Sequence, residues 1–143
     1  MILNTTYQNK KHKQIIRDLV GSSFSFFESF RMKGIGSKRM IIDNVSPNLR
    51  SYLNTNSGIN YANIELRKEG ILLFLSKGFQ NFTWAIPYSQ LVVFKTMGTS
   101  IHGQGKFIHF KNNNMFRANK RFFDKMLEEK IRYEERYDFY NIR

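Results

Sequence analysis

The stretch Gly103-Gln104-Gly105-Lys106 combines what a phosphate grip uses: backbone unhindered by Cβ atoms, and a cation. His102 and His109 flank it with two imidazoles, the side chain best suited to proton transfer near neutral pH and a common metal ligand. The neighbouring residues complete neither chemistry. A G-x-x-x-x-G-K-[ST] loop sets its glycines wider apart, follows its lysine with a hydroxyl, and lies between a strand and a helix. Here a single Gln separates the glycines, Phe107 follows Lys106, and the next residues alternate as a strand does. A metal site or an oriented proton relay needs a third group, yet no Asp, Glu or Cys lies between Lys77 and Asp124. The segment therefore reads as a β-hairpin, with glycine supplying positive φ at the turn.

Parity then places the histidines. A two-residue loop at Gly103-Gln104 sets residue 102 opposite 105 and groups Ile101 with Ile108 and Phe110 on one apolar face. His102 and His109 then share the other face with Phe107 and Lys111. A three-residue loop separates the histidines and moves Ile101 beside Phe107 and His109. The first arrangement is favoured, because Ile108 and Phe110 have the character of core residues.

No other catalytic pattern is present. The absence of cysteine excludes disulfides and thiolate chemistry. No serine stands in a G-x-S-x-G context. Glu128, Glu129, Glu134 and Glu135 crowd one terminal segment as a solvated face. The expectation is a non-enzymatic protein with no cofactor and no bound metal. Its net charge of +12 suits polyanions: nucleic acid, anionic lipid headgroups or acidic proteins. The longest apolar run, Ile71 to Leu75, is far short of the roughly 18–20 residues of a membrane-spanning helix. Lysines and Arg17-Asp18 interrupt the first residues, unlike a signal peptide. A cytoplasmic location is expected.

The chain of 143 residues has enough apolar and aromatic side chains for one core. Residues 59–143 are strongly patterned and residues 1–58 are irregular. Within the latter, Lys11 to Leu19 has helical spacing ended by Gly21, and Ser46-Pro47 suits a helix start. Ser22 to Phe30 carries a cluster of phenylalanines. From Ile59 the period becomes two. Tyr61–Arg67, Ile71–Ser76, Phe79–Ile86, Gln90–Met97 and Lys106–Lys111 read as strands separated by turns at Lys68-Glu69-Gly70 and Lys77-Gly78. The unbroken Ile71-Leu72-Leu73-Phe74-Leu75 implies burial on both faces or an outer face covered by another segment. From about Asn119 the period turns helical, with Phe123, Met126, Leu127, Lys130 and Tyr133 on one stripe and Ile131 extending it. These elements predict an α+β domain, mainly β: an antiparallel barrel or sandwich with a C-terminal amphipathic helix.

The run NIELRKEGILLFLSKG, then WAIPYSQLVVFKT, GKFIHFKN and KRFFDKMLEE, resembles a bacterial pleckstrin-homology-like domain over about residues 59–135. The chain also resembles a small family from Bacteroidetes that brings no known activity. Residues 1–58 fall outside the pleckstrin-like pattern and are expected to pack on the domain as an N-terminal extension, with the Phe cluster covering a sheet face or edge. The resemblance implies a binding or assembly module whose strand-joining loops present cations. In this chain these are Arg67 and Lys68 in one turn and Lys77 in the next, with Lys106 placed by register. The expected partner is a protein or an anionic lipid or phosphate. A nucleic-acid-binding protein is the alternative, with Tyr61, Phe79, Phe82 and Trp84 offered for stacking beside the basic residues.

Overall fold

The computed structural model describes residues 1–7, 9–55, 58–96 and 98–141. Its strands are β1 (Ile2–Asn4), β2 (Met40–Val45), β3 (Tyr61–Leu66), β4 (Gly70–Lys77), β5 (Gln80–Pro87), β6 (Val92–Phe94), β7 (Ser100–Gly103) and β8 (Lys106–Phe110). Its helices are α1 (Lys10–Val20), α2 (Phe26–Arg31), α3 (Asn114–Arg117) and α4 (Lys120–Asn141). The strands form one antiparallel sheet in the order β1-β5-β4-β3-β2-β8-β7-β6. The α+β reading holds, with its antiparallel sheet and C-terminal helix, but the protein is not mainly β: helix, at 36%, slightly exceeds strand, at 33%, because α1, α2 and α3 add to α4.

Alternation builds the core. Ala62, Ile64 and Leu66 of β3, Ile71, Leu73 and Leu75 of β4, and Phe82, Trp84 and Ile86 of β5 point to one side and are buried together. On the opposite side, Leu72 and Ala85 pack with Ile16 and Val20 of α1, and Leu3, Leu19 and Phe74 add to that cluster. This second layer is the covering segment that the unbroken apolar run of β4 requires.

The sheet cannot be flat. β5 and β6 occupy its second and last positions, six strand spacings apart, or roughly 29 Å in a flat sheet. Yet only Tyr88–Leu91 joins them, and four residues reach at most about 14 Å. The sheet curls until its ends meet. A Cβ on Gly103 of β7 would lie 2.9 Å from Ile86 Cγ2 of β5, so the two ends are in close contact.

Residues 1–58, read from sequence as an extension packed on the domain, supply two strands of this sheet. β1 borders β5, and β2 lies inside the sheet between β3 and β8. The register of β2 shifts between Ile42 and Asn44, leaving Asp43 as a bulge. That break in the period of two hides the strand from a periodicity reading. The Phe cluster also differs from expectation. Phe24 packs against the core, but α1 covers the outer face of the sheet, and Phe26, Phe27 and Phe30 are exposed.

Phe122, Phe123 and Met126 of α4 enter the main core, where Phe110, Phe116 and Phe123 form an aromatic group. Asn119, buried just before α4, accepts from Lys38 N at 2.8 Å and donates to Lys38 O and Met115 O. It thereby ties the segment entering β2 to the start of the terminal helix.

The tightest packing is at Gly70, where a Cβ would lie 2.4 Å from Ile86 O and 2.6 Å from Val20 Cγ1. One of these neighbours is backbone and the other joins α1 to the sheet. We expect Gly70→Ala to lower stability by about 2 kcal/mol or more, measured by urea unfolding. A stability equal to that of the unsubstituted protein would show that both α1 and the β5 backbone at Ile86 and Pro87 can move aside freely.

Candidate functional site

The hairpin around Gly103-Gln104-Gly105-Lys106 is a structural clamp. β7 and β8 pair as His102↔Phe107 and Gly103↔Lys106, so the loop is Gln104-Gly105. Both loop residues have positive φ, 55° and 76°, as a type I′ turn requires. The loop sits one residue later than the sequence placed it, but the parity is the same. Ile101 and Ile108 are paired in the core, and His102 and His109 share the outer face. Gln104 reaches across the closure. Its Oε1 accepts from the indole Nε1 of the buried Trp84 at 3.0 Å, and its Nε2 donates to Ala85 O at 3.2 Å and Gln90 Oε1 at 2.9 Å.

On the outer face, His102 stacks on Phe107 with ring centroids 5.2 Å apart and meets Phe94 edge-on at 4.7 Å. Its Nε2 lies 2.9 Å from Ser100 Oγ, and burial holds its pKa below the ordinary value of 6.5. His109 Nδ1 lies 3.5 Å from Asp43 Oδ2. The bulge in β2 brings this carboxylate to a histidine for which the local sequence offers none. Only the non-local pairing of β2 with β8 could have revealed it. Among the described residues, no three His, Asp or Glu side chains gather in a way that could hold a metal.

The four cations proposed from sequence do not converge. Arg67 and Lys68 follow β3, whereas Lys77 ends β4 at the far end of the same hairpin. Arg67 Nε is paired with Glu65 at 2.9 Å, and Lys68 Nζ lies 3.6 Å from Glu28. Lys77 Nζ donates to Ser51 O at 3.2 Å, and Lys106 lies beside Gln104 in the clamp. The aromatics offered for stacking are divided as well. Phe82 and Trp84 are core residues, Tyr61 is half-buried beneath the Arg39 guanidinium, and Phe79 is fully exposed at the β4–β5 turn.

A different cluster forms around α2. Ser25 and Glu28 close a capping box at its start, each side chain bonded to the other residue's backbone N–H. These bonds to Ser25, with a further contribution from Lys68, hold the Glu28 carboxyl below its usual pKa. At the other end, Lys125 Nζ of α4 donates to Met32 O at 3.1 Å, Lys33 O at 3.4 Å and Gly34 O at 2.8 Å. Burial, and secondarily the charge of Lys33, lower the Lys125 pKa. At about 100° per residue, Phe26, Phe27 and Phe30 fall within one arc of the helix, while Glu28 and Met32 face the protein. The three rings are 81%, 78% and 79% exposed. Arg31 and Lys33 are exposed beside them, and Lys68 stands on the Glu28 side. Phe26, Phe30, Arg31 and Lys33 line a shallow hollow together with Ser29 and Gly34. The capping box and the clustered phenylalanines were both present in the sequence; the missing information was which way the rings face.

No protein family, curated protein or solved structure matches this chain. Its functional reading therefore rests on its own geometry. Among the described residues, no helix is long and apolar enough to cross a membrane.

Two measurements test the hairpin. Gln104→Ala and Gln104→Asn should each cost about 1–3 kcal/mol in urea unfolding, because the buried indole N–H loses its acceptor. The Asn variant separates causes, since asparagine tolerates positive φ well but is too short to span the closure. His102 tests linkage. Its lowered pKa means that the unfolded chain takes up the proton first, so its contribution to stability is complete above about pH 6.5 and is lost as pH falls through the folded value. The loss in stability between about pH 7.5 and pH 5 should therefore be smaller in His102→Phe than in the unsubstituted protein.

Proposed function

We propose that this protein is a non-catalytic binding module that engages an anionic partner through the face built around α2. One observation carries the reading: three adjacent phenylalanine rings, each about four-fifths exposed, stand beside Arg31 and Lys33. Large apolar side chains scattered singly over a surface are ordinary, but a contiguous exposed group bordered by charge marks an interaction site. The net charge of +12 supports a partner of opposite sign, and the fixed caps of α2 present the face ready-made. A curled antiparallel sheet followed by a C-terminal helix is also compatible with the pleckstrin-like resemblance. In this reading the sheet is the scaffold, and the contact face comes from the segment before β2.

Retention on immobilised heparin tests the reading. The unsubstituted protein should be retained at low salt, and Arg31→Glu/Lys33→Glu should elute at clearly lower salt. Lys95→Glu/Lys111→Glu removes the same charge from exposed positions after β6 and β8, and should shift elution less. Equal shifts for the two pairs would mean that bulk charge alone is responsible, and would overturn the α2 face.

A further inference from the structure

The shape of the α2 face narrows the kind of anionic partner. Exposure of about four-fifths at Phe26, Phe27 and Phe30 means that each ring is clear of the protein on nearly every side. The rings form a protruding knob, which only a concave or deformable partner can cover. The rings of Phe26 and Phe27 meet at 78° with centroids 6.1 Å apart, so they do not offer parallel surfaces for successive bases. A second copy of the chain would bring another +12 and the same Arg31 and Lys33 against these cations. An anionic bilayer meets all three conditions. It deforms around a convex knob, accepts rings at the boundary between headgroups and acyl chains, and presents phosphates to cations at the rim.

We infer that α2 is an interfacial anchor. Phe26, Phe27 and Phe30 insert below the headgroups of an anionic bilayer, while Arg31 and Lys33 meet its phosphates. This inference rests on the anionic-partner reading above and assigns that partner's identity. The hollow between Phe26, Phe30, Arg31 and Lys33 has the matching chemistry, an apolar wall with cations at its edge. α2 is also held rigidly enough to act this way. The capping box fixes its start, the Lys125 ammonium binds the carbonyls at its end, and Lys68 holds Glu28 from the side. The caps hold the rings outward in the free protein, so little ordering is left for the moment of binding.

The test uses the full chain and vesicles of equal parts phosphatidylcholine and phosphatidylglycerol. Phe27→Trp places a reporter on the knob, while Trp84, fully buried, serves as an internal reference in the unsubstituted protein. On adding vesicles, the reporter emission should shift to the blue and be quenched by lipids brominated on their acyl chains; Trp84 should show neither effect. Phe26→Ser/Phe27→Ser/Phe30→Ser should bind these vesicles at least ten-fold more weakly, with unchanged Trp84 emission and unchanged heparin retention. Vesicle binding at full strength by this variant, or a reporter that stays unquenched on bound protein, would overturn insertion and leave the heparin result standing. Loss of heparin retention in the triple variant would also overturn it, because the rings would then serve polyanions at large. A dimer in sedimentation that the triple substitution dissolves would assign the knob to a second copy instead. Failure to bind either vesicles or heparin would remove the anionic-partner reading itself.

Discussion

The four-residue corner Tyr88–Leu91 sets the geometry of the whole sheet. By joining the second strand of the order to the last, it forces the sheet to close, and the closure creates the interior that Trp84, Ile101 and Ile108 fill. Gln104 holds the seam from the opposite side through the Trp84 indole and the backbone of β5. The corner also receives α4. Tyr88 is fully buried, its hydroxyl donates to Arg67 O at 3.1 Å, and its ring lies 5.8 Å from that of Tyr133. Lys130 of α4 donates to Tyr88 O at 3.1 Å. Sheet closure, the β3–β4 turn and the terminal helix therefore meet at one tyrosine.

The parts of this fold that were legible in sequence are those with an unbroken period. β3, β4 and β5 follow from alternation. The double burial of β4 follows from its continuous apolar run, and the shared face of His102 and His109 follows from parity even though the turn lies one residue later. β2 was not legible, because the bulge at Asp43 disrupts its alternation and its partners are distant in sequence. The pairing of Asp43 with His109 was hidden for the same reason. The separation of Lys77 from Arg67 and Lys68 was legible too, since consecutive turns of a meander lie at opposite ends, whereas the place of Lys106 depended on register. At α2 the residue types were plain but their orientation was not. Phenylalanines are usually core, and the knowledge that α1 already covers the sheet comes only from tertiary structure.

α2 shows how a short helix can exist without burying its apolar face. Six residues cannot sustain a helix alone, because nucleation is costly and few hydrogen bonds repay it. Here the stabilisation comes from polar groups at the ends and from Phe24 and Met32, which anchor the flanking chain to the core. The three exposed rings contribute nothing to that anchoring. Their substitution is thereby separable from the stability of the fold, as is the composition of the knob.

The position of β2 has a consequence for the order of folding. β3, β4 and β5 are joined by tight turns and can associate through local contacts soon after they are made. β2 precedes them in the chain but needs β8 on its other side, and β8 comes after all the other strands described. Closing that pair brings together residues separated by nearly half of the chain, and non-local pairing of this kind slows folding. Until β8 arrives, one edge of β2 has no partner strand. During synthesis β1 to β5 leave the ribosome before the hairpin carrying Gln104, so the seam can close only after that hairpin has emerged.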